Sequence, residues 1–305
     1  MTTAKPLSSS RLAVFTGLSM LAFTGNALIC RAALHSGSID AASFTGLRLF
    51  SGAFMLWLIL RWRGGGLSAR PTPAWSLLSG AVLFIYAAAF SLAYARVSAG
   101  AGALVLFVAV QSVMIGFGFY RGERFSPLQW GGLLLAYAGL VALMLPSGSL
   151  ESVRPGSAPV YLIMLLSGAA WGVYSLIGRR SGDPLRVSAN NFLYSLPFAL
   201  LFSLAMLMVE PLHLTRSGVA YAVLSGAGAS ALGYIVWYAA LPALKATTAA
   251  AVQLSVPLLT ALGGVILLAE PLTLRFALIA LAIIGGLALV IFAKSLRISR
   301  LLRRG

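Results

Sequence analysis

Acidic residues are scarce in this chain. Six Asp and Glu stand against 22 Lys and Arg in 305 residues, a formal net charge of +16, yet only 9% of the residues are charged. A soluble domain is about 25% charged, so the polar surface of a water-soluble globule is missing. A single cysteine, Cys30, excludes an intramolecular disulfide and a Cys-rich metal centre. The two histidines, His35 and His213, cannot form the HExxH pattern of a zinc enzyme. Neither a metal nor a cofactor is expected. A basic excess ordinarily points to nucleic acid, but 60% of the chain is hydrophobic, which leaves no soluble domain to carry a basic groove. Intrinsic disorder is excluded too, because it goes with low hydrophobicity. A polytopic membrane protein remains, with no nucleic-acid partner.

What is present is apolar sequence in long runs. A helix crosses the hydrocarbon core with about 20 apolar residues. Ten such runs are found, at 12–34, 41–60, 74–95, 99–120, 128–145, 160–178, 187–209, 218–241, 246–269 and 272–293. Turn chemistry separates them, as in Arg-Gly-Gly-Gly at 63–66 and Ser-Gly-Asp-Pro at 181–184. Barrel strands would alternate over about ten residues, so the fold class expected is all-α. Lys5 and Arg11 precede the first run as in a signal peptide. Nine further runs follow it, and it is longer than an h-region, so it is read as an uncleaved helix.

Ten spans put both termini on one side. The termini and the even-numbered loops hold 16 of the 22 cations, the other side holds five, and Arg48 lies within the second span. By the positive-inside rule the 16-cation side is cytoplasmic. The basic tail at 294–304 anchors that topology and suits anionic lipid of the surrounding bilayer. Arginine outnumbers lysine 19 to 3, the bias of a GC-rich bacterial genome, so the bacterial inner membrane is the expected location.

A shift of 147 residues overlays the two halves without gaps: Gly25 falls on Gly172, Gly116 on Gly263, Glu123 on Glu270 and Gly139 on Gly286. Residues 1–150 and 151–305 then each hold five spans. An odd number makes the second unit enter the membrane from the opposite face, an inverted-topology repeat of the kind found in secondary transporters, with substrate bound between the halves near the midplane. The stretch Lys245-Ala-Thr-Thr-Ala-Ala-Ala, then Gln253, Pro257, Gly263, Ala-Glu-Pro at 269–271 and Gly285-Gly286, resembles the EamA domain of the drug/metabolite transporter superfamily. Arg-Gly-Glu-Arg at 121–124 is similar to the same element of the first half. The resemblance covers nearly the whole chain and implies a small-molecule transporter of two five-helix units. Val110 stands where the second half has Pro257, so a kink is expected in that half only.

Polar residues inside a membrane face a cavity or a protein partner. Arg48 has no Asp or Glu at its depth in the sequence; it is either a site for a substrate carboxylate, which suits a guanidinium, or a structural cation bonded to carbonyls. Asn26, Gln111, Asn190, Asn191 and Gln253 either glue helices together or meet substrate. Gln253 is the stronger candidate, because Pro257 has no N–H and frees its carbonyl. Pro197 frees that of Leu193 in the same way, and the two prolines are expected to kink their helices. Tyr86, Phe90 and Tyr94 recur at i, i+4 and i+8 on the third span, Trp171 and Tyr174 at i, i+3 on the sixth, and Tyr234, Trp237 and Tyr238 lie on the eighth. Trp57, Trp62, Trp75 and Trp130 sit near span ends and read as an interfacial belt. The deeper rings read as the lining of a central cavity for flat solutes, or for quaternary cations through cation–π contact. That lining resembles YddG-type exporters of aromatic amino acids and toxic cations.

All six acids, Asp40, Glu123, Glu151, Asp183, Glu210 and Glu270, fall at span ends or in loops. Proton-coupled carriers use a mid-membrane carboxylate, so passive facilitated movement of amino acids or organic cations is expected, with a proton-coupled antiporter as the alternative. Glu123 and Glu270 are assigned to the turns, accepting bonds from free N–H groups of the next helix. An intramembrane enzyme lacks a nucleophile–base pair here, and a channel lacks a charged ring or filter. Monomer and homodimer stay open.

Overall fold

The structure, a computed structural model, describes residues 8–64, 73–122, 124–145, 158–178, 183–209, 211–244 and 252–302. Within them the chain is all-helical apart from an isolated bridge between Ile39 and Leu214. The helices are α1 (Ser9–His35), α2 (Ala41–Trp62), α3 (Pro73–Tyr94), α4 (Ala99–Tyr120), α5 (Pro127–Met144), α6 (Ala158–Gly178), α7 (Pro184–Met206), α8 (Arg216–Ala243), α9 (Ser255–Leu268) and α10 (Leu274–Leu302). Among the described residues nine of these are long and apolar enough to cross a membrane; α9, equally apolar, has 14 residues.

Capping residues set the starts. Asp40 and Ser98 accept from the N–H groups of Ser43 and Ala101. Ser126 forms a capping box with Gln129 ahead of Pro127, and Asp183 caps α7 ahead of Pro184. The ninth run departs from expectation. Residues 245–251 lie outside the described residues, Leu254 forms a turn, and Pro257 is the third residue of α9. It therefore sits in the first turn of α9, where a missing N–H costs nothing; Val252 and Gln253 are helical ahead of the Leu254 turn, so the helical winding is interrupted just before the proline. Pro197 does lie inside a continuous helix.

Packing is inside-out relative to a soluble protein. Leu21, Phe54, Leu134, Leu162, Leu201 and Ile266 face outward, while Asn26, Arg48, Gln111, Ser225, Ser230 and Thr260 are buried. An exposed apolar surface of that extent belongs to a chain solvated by lipid. The four Trp residues assigned to the interfacial belt are all exposed. Around the centre, α3 packs on α6 and α7, α4 on α6, α8 on α1 and α2, and α9 on α1, while α2 also meets α7. Helices α5 and α10 pack on each other and meet the rest chiefly through α4.

Close approach depends on small residues. A Cβ at Gly168 would overlap the Leu106 carbonyl, and one at Gly172 would come within 2.8 Å of Val113, so α6 lies directly on α4. Gly226 on α8 plays the same part against α2, where a Cβ would overlap the Arg48 carbonyl oxygen and the Ser51 hydroxyl.

One end of the bundle is tied shut by polar contacts. Ala269 closes α9 in the left-handed region at φ 51°, a conformation costly for a residue with a Cβ, and the reversed chain places Glu270 beside α1 and α4. Arg31 Nε donates to Glu270 Oε1 at 3.0 Å, and the Ala99 N–H donates to both carboxylate oxygens at 3.0 and 2.9 Å. Arg31 Nη1 also donates to the Tyr94 carbonyl at 3.1 Å. A second tie joins the α1–α2 turn to the loop before α8: His213 N–H donates to Asp40 Oδ2 at 3.2 Å and Thr215 Oγ1 to the Ser38 carbonyl at 2.7 Å.

Two outcomes follow for stability. Gly226→Val is expected to cost about 1–3 kcal/mol by overpacking. Gly285→Ala, where a Cβ meets nothing within 4 Å, should be neutral or stabilising by up to about 1 kcal/mol; thermal melts of the detergent-purified protein separate the two. In a double-mutant cycle, Arg31→Met and Glu270→Gln should each destabilise, and their combination should fall short of the sum by more than about 1 kcal/mol. Additive losses would mean the pair carries no coupling.

Candidate functional site

The aromatic residues predicted on three separate helices form one continuous cluster. On α3 the rings of Tyr86 and Phe90 lie 5.4 Å apart, and Phe90 meets Tyr94 edge-on at 4.6 Å. Tyr86 reaches Trp171 of α6 at 5.0 Å, and Trp171 reaches Tyr174 at 5.6 Å and Tyr234 of α8 at 4.9 Å. Tyr174 continues to Tyr238 at 6.1 Å. Trp237 joins through Phe23 of α1, whose ring lies 5.9 Å from it and 5.6 Å from Trp171. These separations are those of favourable offset and edge-to-face pairs. All eight predicted rings are buried, as a lipid-facing belt would not be.

Two further members escaped the sequence reading. Phe23 lies three residues before Asn26, a same-face spacing that marks it in hindsight. Phe192 follows Asn191 on α7 and packs on Tyr234 at 5.9 Å; its partner lies 42 residues away in sequence, where no local period can show it.

A strip of polar groups runs along one side of the cluster. Asn26 Nδ2 donates to the Tyr86 hydroxyl at 3.4 Å, and Asn26 Oδ1 accepts from Ser225 Oγ at 2.7 Å and Ser230 Oγ at 3.5 Å. Arg48 is 1% exposed. Its Nε donates to Ser230 Oγ at 3.1 Å and its Nη2 to the Tyr86 hydroxyl at 3.2 Å, while the guanidinium carbon stands 5.3 Å from the Tyr86 ring centre and 5.0 Å from that of Phe90. Both serines belong to a π-helical stretch of α8, Leu224–Leu232. Residues five apart diverge around an α-helix, and π winding brings them toward one face. The sequence marks this stretch only by its run of small residues, Ser-Gly-Ala-Gly-Ala-Ser at 225–230.

Phe23, Asn26, Tyr86, Phe90, Ala103, Trp171 and Val256 border a central cavity of about 30 Å³. That volume holds a water or two and no larger solute, so this conformation is closed around its centre. The remaining candidates lie nearby or elsewhere. Asn191 donates to the Tyr174 hydroxyl at 3.1 Å. Gln111 on α4 and Gln253 ahead of α9 are buried but do not border the cavity. Glu270 belongs to the closed end, and its N–H partner is Ala99 at the start of α4, rather than the next helix α10, as expected from sequence. Glu123 lies outside the described residues.

The stretch 158–292, from the start of α6 into α10, matches the EamA-like transporter family. Over 292 residues the chain is 52% identical to an uncharacterized protein of Pseudomonas aeruginosa, covering 95% of this chain and 98% of that one. It is 26% identical over 262 residues to an uncharacterized transporter of Archaeoglobus fulgidus, with 83% of this chain and 88% of the other covered. A crystal structure 22% identical in sequence superposes with a TM-score of 0.65 over 95% of this chain and 99% of that one, which shows a common fold. On these likenesses, and on its all-helical, outwardly apolar build, the chain belongs to the EamA-like transporter family of the drug/metabolite transporter superfamily and is a multi-pass membrane transporter of small molecules.

Proposed function

We propose that the protein moves amino acids with aromatic or neutral side chains, or organic cations, by alternating access at the aromatic cluster, as YddG-type exporters do. The carrying observation is the cluster itself: rings from α1, α3, α6 and α8 form one network, and those of α1, α3 and α6 border the central cavity. A flat solute replaces ring–ring contacts there with contacts of the same kind. Two inverted five-helix units, 1–150 and 151–305, supply the motion. The reciprocal packing of α3 on α6 and α7, and of α8 on α1 and α2, supports that division, since each pair maps onto the other under the 147-residue shift. Similar halves of opposed orientation give two end states of comparable energy. In the bacterial inner membrane the cation distribution puts both termini in the cytoplasm, and the Arg31–Glu270 end then closes the outer face.

Transport is down the gradient of the solute. The described carboxylates support this, because Asp40 and Asp183 cap helices and Glu270 is bonded at the closed end. None borders the central cavity.

In proteoliposomes loaded with labelled tryptophan, flux is expected to stay within about twofold when a pH gradient is imposed, while Trp171→Ala and Tyr86→Ala each reduce it about tenfold or more through lost ring contact. Steep dependence on the proton gradient would replace the facilitator with the proton-coupled antiporter. Wild-type flux in both variants would remove the cluster as the site.

A further inference from the structure

We propose that the central site selects solutes with an aromatic or apolar body and one anionic head, a carboxylate by size, and that Arg48 supplies the counter-charge. This narrows the substrate class of the site described above and rests on that reading.

Arg48 lies eight residues after Asp40, about 12 Å along α2, and is 1% exposed. Among the described residues the ion pairs are Arg31–Glu270 and Arg186–Asp183. Asp40 is committed to the N–H groups of Ser43 and His213. The partners of Arg48 are two neutral hydroxyls and two ring faces, and Nη1 has no hydrogen-bond partner. Hydroxyls satisfy donors without neutralising charge, and a lone charge buried in a membrane protein is costly. A purely structural role is also asymmetric: under the 147-residue shift Arg48 falls on Ser195, so the other half builds the corresponding helix without a cation at that position.

The position of the charge connects it to the cavity. Tyr86 and Asn26 border the cavity, and Arg48 stands directly behind them. The Tyr86 hydroxyl accepts from both Asn26 and Arg48, which leaves its own O–H to donate. A carboxylate placed against Tyr86 and Asn26 takes that proton donor, strengthened by the guanidinium behind it. Among the described residues no Asp or Glu borders the cavity to receive an ammonium group. A zwitterionic amino acid is thus matched at one end only, and a quaternary cation meets a like charge. The order expected is aromatic monocarboxylate, then amino acid, then cation.

The test uses the purified full chain and three probes of one shape: 3-phenylpropanoate, its carboxamide and phenethyltrimethylammonium, titrated by quenching of tryptophan fluorescence. The acid should bind the wild type about 10- to 100-fold tighter than the amide, with the cation weakest. Arg48→Gln should collapse the acid-to-amide ratio toward one, and Arg48→Lys should keep most of it. Equal binding of acid and amide by the wild type, or preference for the cation, overturns the proposal, as does an unchanged ratio in Arg48→Gln. Should that variant fail to purify as a single species, the wild-type ratio alone decides. If neither acid nor amide binds while tryptophan flux still depends on Trp171, the anion inference fails and the central site stands. Flux indifferent to Trp171 and Tyr86 removes the site itself.

Discussion

A guanidinium buried about a third of the way along a membrane-spanning helix must find its partners inside the protein, because neither water nor a snorkelling route is at hand. The surroundings of Arg48 follow from that constraint. Tyr86 and Ser230 supply acceptors, Phe90 and Tyr86 supply ring faces, and Asn26 ties the two acceptors together. Those groups come from α1, α2, α3 and α8, so satisfying one side chain fixes where four helices meet. Backbone contact follows: α2 approaches α8 so closely at Arg48 that only a glycine, Gly226, fits opposite. The π turn next to it presents both Ser225 and Ser230 to the strip.

The aromatic cluster and the closed end depend on this arrangement. Tyr86 belongs to both the polar strip and the ring network, so any movement of α3 relative to α8 disturbs both at once. At the end of the same helix the Tyr94 and Ala95 carbonyls accept from Arg31, which is paired with Glu270. Opening that end requires releasing the Glu270 carboxylate from Arg31 and from the α4 N-terminus. Pairing and release there cost little in net energy when water replaces each contact, as an alternating carrier needs.

Local sequence carried much of this. The apolar runs read directly as helices, since each depends on residues within one or two turns. The stripe Tyr86–Phe90–Tyr94 showed its shared face through helical period alone. What stayed hidden depends on pairing across the fold. Arg31 meets Glu270 from 239 residues away, and Glu270 turned out to serve α4, not the helix it precedes. Phe23 shares its span with one other ring, Phe15, too few to mark a stripe. The π turn has no residue code beyond small side chains.

The central claim is that one buried site is reached from either side of the membrane in turn. Cys30, the single cysteine, is buried, so a Cys30→Ser background carrying Ala103→Cys places one thiol at the cavity wall. Reaction with a membrane-impermeant maleimide, applied from each side of oriented vesicles, reads access directly. Labelling from both sides is expected, slowed in both cases by transported solute. Labelling from one side only, at a rate solute does not change, would contradict it.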